Sequence, residues 1–246
     1  MWRRAGLGHG VPAWRLACFA GGMLALGLAL IWPLDALGDS LFAAHMGQHL
    51  VLMLVVAPLL IVAAPLAPAL HALPPRWRRV ALGPARADWS RRAGQWLVAP
   101  GAATVLQLLA LYAWHTPVAI AVALEDDFVH FLMHASLLGS ALLFWWAIIR
   151  AGRVGYGWGI LMLLVTAKLS GLLGALIAFA RVPLYPAYGE RPAAWGLSLL
   201  EDQQLAGTLM LAVGGVTYVV SAVVLVAAFL AAMERRAPSI RAGPEP

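Results

Sequence analysis

Residues 43–60 read AAHMGQHLVLMLVVAPLL, where two histidines four residues apart lead directly into an apolar run. A helix of about 20 apolar residues crosses the roughly 30 Å hydrocarbon core of a bilayer, and this run is long enough to do so. The whole chain has the same character, since 62% of its 246 residues are hydrophobic and 11% are charged, whereas soluble domains carry about 25% charged residues. The sequence therefore predicts an all-α integral membrane protein.

Six apolar runs have about the length of a transmembrane helix. They lie near residues 15–32, 46–70, 96–114, 128–149, 158–180 and 207–232. We therefore predict a polytopic bundle of about six transmembrane helices in a single domain, residues 1–236. The remaining residues, 237–246, are rich in proline and glycine and are expected to form a disordered cytoplasmic tail.

The basic residues alternate between the segments that flank these runs. Fourteen of the 17 lie in the N-terminal segment, the loops after the second and fourth runs, and the C-terminal tail, while eight of the eleven acidic residues lie in the other three loops. Because basic residues are retained in cytoplasmic segments, we predict that both termini are cytoplasmic. The net charge of +6 then reflects topology and contact with anionic lipid headgroups, and no nucleic-acid partner is expected.

The second helix contains three prolines, Pro58, Pro65 and Pro68. Each removes a backbone N–H and crowds the preceding turn, so we predict a kink and an irregular cytoplasmic end. Residues 45–56 precede the prolines and should form a regular α-helix.

Two further patterns concern packing. The third loop, residues 115–128, is apolar enough to form a short interfacial helix. The small residues of SGLLGA, residues 170–175, predict that two helices approach each other closely.

Five of the seven histidines fall on the predicted outer side of the membrane. They are His45 and His49 at the start of helix two, His115 after helix three, and His130 and His134 at the start of helix four. Residues four apart lie on one face of a helix, so each pair presents two imidazoles in one direction, and two such faces can converge on a metal ion. The other two, His9 and His71, fall on the cytoplasmic side and need no role.

Four methionines near these histidines favour a soft metal. They are Met46, Met53, Met133 and Met210. Imidazole and thioether ligands without thiolate favour copper, although imidazole suits zinc as well. The single cysteine, Cys18, lies at the other end of helix one and excludes a Cys-x-x-Cys site. We predict a copper site from these histidines and methionines; the alternative is that the histidines only form hydrogen bonds and the methionines only pack.

Carboxylates recur on the same side. Asp126 and Asp127 precede His130 by four and three residues, and Glu201 and Asp202 precede helix six. Each can accept an imidazole N–H and so fix the tautomer of a metal ligand. The alternative is that these acids serve topology and solvation alone.

Lys168 is the only lysine and falls near the middle of helix five. A charge at that depth is costly unless it is paired or lies in a wet cavity. We therefore expect this side chain to be neutral, to snorkel towards the interface, or to be functional.

Five segments resemble, in order and spacing, the CtaG-type cytochrome c oxidase assembly factors of bacteria, which are associated with caa-type oxidases. They are HMGQHLVLMLVVAPLL (45–60), AWHTP (113–117), HFLMH with the following ASLLGSALLFWW (130–146), LYPAY (184–188) and DQQLAGTLM (202–210). The resemblance covers roughly residues 20–230. It departs from the family pattern at Ala206-Gly207, where a glycine pair is usual, at Leu211, where a tryptophan often stands, and in having six predicted helices where members often have one more.

The resemblance implies a non-enzymatic, multi-pass protein of the bacterial cell membrane that is needed for active haem-copper oxidase and acts in the maturation of a copper centre. It implies roles for both histidine pairs and for His115, and supporting roles for Asp202, Gln203 and Gln204 of the DQQ motif. The implied partners are oxidase subunits and an extracytoplasmic copper donor, and the site would face the extracytoplasmic side.

Three other functions remain open. A single haem could be held by one histidine from helix two and one from helix four. A zinc hydrolase is disfavoured because neither histidine pair contains the glutamate of the HExxH motif. A scaffold could bind oxidase subunits with its histidines serving only as hydrogen-bonding groups.

Overall fold

The computed structural model describes residues 11–66, 70, 73–82 and 88–235. Every regular element in these residues is helical, which confirms the all-α prediction. The helices are α1 (Ala13–Leu30), α2 (Leu34–Gly38), α3 (Phe42–Ala63), α4 (Pro75–Leu82), α5 (Asp88–Leu97), α6 (Pro100–Trp114), α7 (Pro117–Glu125), α8 (Asp127–Val154), α9 (Tyr156–Ala178) and α10 (Leu199–Glu234). His9, His71, Pro68 and the predicted tail, 237–246, lie outside the described residues.

Within the described residues, five segments are long and apolar enough to cross a membrane. They are Ala13–Gly38, Phe42–Ala63, Asp127–Ile149, Tyr156–Ala178 and Leu199–Glu234. The predicted span at 96–114 is different, because α5 and α6 meet at a bend of 69°. The 15 residues of α6 reach only about 22 Å, which is less than the hydrocarbon thickness. The described residues therefore contain five candidate membrane spans, or six if the bent pair counts as one, as in a membrane protein.

The prediction of a regular helix over residues 45–56 is wrong. Helix α3 is α-helical to Val51, but Leu52–Val56 forms a π-helical turn, in which the N–H of Ala57 donates to the carbonyl of Leu52. The helix ends at Ala63, and Ala64 adopts a left-handed conformation with φ of 47° before Pro65. The predicted extension to residue 70 therefore stops seven residues early, at the second proline.

Because of Pro58, one carbonyl of the π turn needs a hydrogen-bond donor from another helix. In an α-helix the carbonyl of Met53 would accept from the N–H of Ala57, but this N–H already donates to Leu52. In a π-helix the same carbonyl would accept from residue 58, but Pro58 has no N–H. The indole Nε1–H of Trp145 on α8 donates to this carbonyl instead, at 2.8 Å, and the bond is buried. The break in α3 is thus satisfied by α8.

Gln48 fixes α3 against the first two helices. Its side-chain amide is buried and donates to the carbonyl of Ala29 at 2.8 Å and to the Asp35 carboxylate at 3.0 Å. Because Gln48 lies between His45 and His49, these two bonds also set the direction in which the histidine face of α3 points.

Helix α10 begins eight residues earlier than the predicted run at 207. Ser198 and Glu201 form a capping box, in which each side chain bonds the backbone N–H of the other residue. The polar residues that follow are therefore part of a helix, although their composition is typical of a loop. Helix α7 occupies most of the third predicted loop and confirms that this loop contains a helix, with Ile120 and Ala123 buried.

Helices α9 and α10 approach each other to backbone contact, as the small residues predicted. A Cβ atom added at Gly207 would lie 2.3 Å from the backbone nitrogen of Ala178 and 2.6 Å from the carbonyl oxygen of Gly174. A Cβ at Gly174 would lie 2.9 Å from the backbone nitrogen of Leu211. Neither glycine can gain a side chain unless the two helices separate.

We expect Gly207→Ala to lower the free energy of unfolding by about 1–3 kcal/mol, because its methyl group would overlap the backbone of α9. The measurement is the thermal unfolding of the purified protein in detergent. Gly139→Ala on α8 is the matched control, since a Cβ there meets no atom within 4 Å. Identical melting of the two variants would contradict the close approach.

Candidate metal centre

The structure brings all five outer histidines together. His45 and His49 lie in the first two turns of α3, His130 and His134 in the first two turns of α8, and His115 directly after α6. Neighbouring imidazole centroids lie 4.5 to 5.8 Å apart. The two helix faces predicted from the i, i+4 spacing therefore meet, and the ring of His115 extends the group through its neighbour His49.

Three of these imidazoles have the geometry of a metal site. One ring nitrogen from each of His45, His49 and His134 can be chosen so that all three lie within 4.8 Å of one another. The three side chains are 0%, 2% and 6% exposed. Three imidazoles with ring nitrogens this close are a ligand set that suits copper and zinc.

The nitrogens of this group lack hydrogen-bond partners among the described residues. Both ring nitrogens of His45 and of His49 and the Nε2 atom of His134 are buried and unpaired. A buried polar atom without a partner costs about 1–3 kcal/mol, and five such atoms in one place call for an explanation. A metal ion bonded to one nitrogen of each ring satisfies three of them.

His130 occupies a different position from the other three. Its ring stacks on that of His45 at 5.4 Å, and its Nε2 atom is buried without a partner. The residue is partly exposed, and its nitrogens are not among the three that converge. His130 therefore lies at the outer edge of the histidine group.

His115 is fixed by two contacts. Its Nδ1 atom lies 2.6 Å from the carbonyl oxygen of Leu111, and its Nε2 atom lies 3.1 Å from the sulfur of Met46. Burial lowers the pKa of His115 to about 4, although the Leu111 bond acts in the opposite direction, so the ring is neutral at pH 7. A neutral ring with the Nδ1–H donated to Leu111 carries a lone pair on Nε2, which therefore faces the thioether.

The four predicted methionines are all buried, but they do not lie together. Met46, Met53 and Met210 line one small cavity together with His49 and His115. Met133 is packed in the hydrophobic core and is not part of that lining. The structure thus separates three of the methionines from the fourth.

Two tyrosines cover the site and were not predicted as site residues. Tyr185 and Tyr188, from the LYPAY segment, are buried against Phe42 at the start of α3, with ring centroids 4.1 and 5.5 Å away. The Tyr185 hydroxyl donates to the carbonyl of His115 at 2.7 Å. Two tyrosines in a polar outer loop were the sequence feature that could have indicated this contact. It could not be assigned from the sequence because His115, the partner of Tyr185, is 70 residues away.

Asp202, predicted to accept from an imidazole, bonds the backbone of α3 in the described residues. Its carboxylate is fully buried and accepts from the backbone N–H groups of Phe42 at 2.7 Å and Ala43 at 3.0 Å. These are free N–H groups of the first turn of α3, so a carboxylate from α10 caps the helix that carries His45 and His49. Asp202 therefore positions the ligand helix rather than a ligand.

The two glutamines of the same motif hold the loop that covers the site. Gln203 accepts from the N–H of Leu184 and lies within weak hydrogen-bond distance of the carbonyl of Ile177, while Gln204 donates to Ala180 at 3.1 Å. Neither bonds an imidazole in the described residues, and the supporting role predicted for them stays a prediction.

Asp126 and Asp127, at the start of α8, also lie close to backbone groups of that helix. Asp126 accepts from the N–H groups of Phe128 at 2.8 Å and Val129 at 3.0 Å and so caps the helix that carries His130 and His134. Asp127 is exposed in the first turn of that helix. The imidazole bonds predicted for both are absent among the described residues.

Comparison with known protein families gives one match. The model of the cytochrome c oxidase caa3 assembly factor family (Caa3_CtaG) matches residues 1–232. The chain belongs to this family. The match includes both histidine pairs and the whole DQQ segment, and it confirms the resemblance found in the sequence. Neither the curated proteins nor the solved structures contain a significant match to the chain.

In this caa3 assembly factor, Lys168 lies apart from the histidines. It is exposed at the middle of α9, beside Leu164, Val165 and Leu169 on the outer surface of the bundle. Among the described residues it forms no ion pair, since the one observed joins Arg91 and Asp88. Its role stays a prediction.

We expect Asp202→Ala to lower the free energy of unfolding by about 2 kcal/mol, because the first turn of α3 loses a buried carboxylate cap. Thermal unfolding in detergent measures the effect, and Asp202→Asn should give an intermediate value because it keeps one acceptor oxygen. Asp127→Ala removes an exposed carboxylate from another first turn and is the control, with an expected change below about 0.5 kcal/mol. Equal effects of Asp202→Ala and Asp127→Ala would contradict the capping role.

Proposed function

We infer that this caa3 assembly factor holds a copper ion at His45, His49 and His134 and passes it to a subunit of the haem-copper oxidase. The role is one of delivery, without catalysis, and it requires an ion that binds firmly and still exchanges. The membership of the family supports the connection with the oxidase; the copper ion and its ligands are our proposal.

One observation carries the proposal. Three imidazoles from two helices converge within 4.8 Å in a buried place, and their nitrogens have no other hydrogen-bond partner in the described residues. Histidines that served only to join helices would be expected to pair with a backbone or side-chain group, because an unpaired polar group in a dry interior is costly. A bound metal ion would bond one nitrogen of each of these rings.

The surrounding donors favour copper over other ions. Imidazoles form the site and thioethers lie beside it, whereas the nearby carboxylates of Asp126 and Asp202 are bonded to backbone N–H groups. Oxygen-rich sites select magnesium or calcium, and thiolates are typical of structural zinc. A set without thiolate also suits an ion that must later leave.

The geometry is less favourable for the haem alternative. The imidazole rings are in contact, and the cavity that adjoins them measures about 20 Å³, which is room for about one water molecule. A macrocycle would enter only if α3 and α8 separated. The scaffold alternative predicts that no metal binds. The copper measurement described below distinguishes it from the proposed copper site.

The proposal places the site on the extracytoplasmic side of a bacterial cell membrane, where an extracytoplasmic donor would load it. The support is the distribution of the basic residues. In a chain with Cys18→Ser, we expect a cysteine at exposed Glu190 to react with an impermeant maleimide in intact spheroplasts, and a cysteine at exposed Ala93 to react only after lysis. The reverse pattern would invert the topology.

We expect His45→Ala combined with His134→Ala to lower the bound copper by about one ion per chain, because two of the three ligands of this site are removed. The measurement is competition with a chromogenic Cu(I) chelator under reducing conditions, together with an optical spectrum and a thermal unfolding curve. The control is His71→Ala, which changes a histidine predicted to lie on the other side of the membrane.

Three outcomes would contradict the copper site. Loss of copper that merely follows loss of folded protein would indicate a structural polar network. A Soret band in the spectrum of the purified wild type would favour haem. Absence of both copper binding and haem would leave the scaffold function.

A further inference from the structure

A cavity beside the histidine group lies between α3, α6, α9 and α10. It measures about 20 Å³, and among the side chains that line it are His49, His115 and three methionines, Met46, Met53 and Met210. All five are at most 4% exposed. The lining also carries two hydroxyl groups, those of Ser170 and Tyr218. The Ser170 hydroxyl donates to the carbonyl of Thr166 at 2.7 Å. Most donor atoms of the lining are therefore sulfur and imidazole nitrogen.

Two of these donor atoms lie side by side. The Nε2 atom of His115 lies 3.1 Å from the sulfur of Met46, while its Nδ1 atom lies 2.6 Å from the carbonyl oxygen of Leu111. Metal bonds of about 2.0 Å to nitrogen and 2.3 Å to sulfur, as at zinc, would place two such ligands about 3.5 Å apart. The observed distance needs only a small adjustment to accept one ion.

The other two thioethers come from irregular turns. Met53 lies in the π turn of α3, and Met210 begins the π turn Met210–Gly214 of α10. Single π turns widen a helix locally and occur often at functional sites. Here each of the two π turns in the described residues contributes a methionine to the same cavity, from opposite sides.

The cavity adjoins the histidine group. His49 belongs to both, and its ring lies 5.5 Å from that of His115. Consecutive residues of a helix point about 100° apart, so His45 faces the group on α8 while Met46 faces the cavity. An ion at the three imidazoles is therefore one ligand exchange from the thioethers.

We propose that Met46, Met53, His115 and Met210 form a second, thioether-containing subsite that takes Cu(I) from the three-histidine site. This inference rests on the proposed function and divides its ligands into two sets. Thioether and imidazole ligands without thiolate or carboxylate select Cu(I) among the common metals. The transfer exchanges ligands only, so the ion keeps its charge and no electron or proton needs a further reactant.

The test uses Ag(I), which is a redox-inert probe for Cu(I), and Zn(II), for which imidazole is the better ligand. For the purified full chain we expect Met53→Leu with Met210→Leu to weaken Ag(I) binding at least tenfold and to change Zn(II) affinity less than twofold. The matched control is Met133→Leu, which alters a buried methionine outside the cavity lining. X-ray absorption of the Cu(I)-loaded wild type should show sulfur among the ligands, and the double variant should show less.

The His45→Ala, His134→Ala variant separates this inference from the proposed function. It should lose Zn(II) binding while it retains Ag(I) and the sulfur signature. If it loses Zn(II) and copper but the methionine variants bind Ag(I) like wild type, the subsite is refuted and the histidine site stands. If the methionine variants alone lose Ag(I) and the histidine variant binds every metal normally, the three-histidine site is refuted. A copper spectrum of wild type with nitrogen ligands alone would also overturn the subsite.

Discussion

In a membrane interior, a backbone N–H or C=O group without a partner costs several kcal/mol because no water is present to bond it. Helix α3 has free backbone groups in its first turn and in its π turn, and a side chain from another helix satisfies each of them. The Asp202 carboxylate of α10 accepts from two N–H groups of the first turn, and the Trp145 indole of α8 donates to the freed carbonyl of Met53. These three hydrogen bonds hold the helix that carries His45 and His49 at its first turn and at its π turn.

The need to pair buried backbone groups also shapes the histidine group. Asp202, Trp145 and Asp126 satisfy the backbone of α3 and α8, and in the described residues the ring nitrogens of His45 and His49 have no hydrogen-bond partner. The nearby carboxylates of Asp126 and Asp202 bond backbone N–H groups, and two tyrosine rings pack on Phe42 at the outer end of α3. The fold thereby leaves several buried nitrogen atoms unbonded, which under the proposed function would be free to bind an ion.

The sequence predicts the local part of this arrangement well. The i, i+4 spacing defines the two histidine faces, and alternating arginines place both faces at the same level, so convergence follows from helix geometry alone. The small residues at 170–175 likewise predicted a close helix approach, which the structure shows between α9 and α10 at Gly174 and Gly207. The partners of Asp202 and Trp145 were not predictable, because these bonds join residues 160 and 92 positions apart. Pro58 predicted an irregularity in α3. Whether the helix kinks or widens into a π turn depends on which side chain can satisfy the freed carbonyl.

The burial of the histidine group has a kinetic consequence. His45, His49 and His134 have almost no contact with solvent, whereas His130 is partly exposed and stacks on His45. Under the proposed function, an incoming ion would meet His130 first, and the ring of His134 lies 4.5 Å from it. The rates of loading and unloading would then depend on this single outer residue, whereas the affinity for the ion would depend on the inner three.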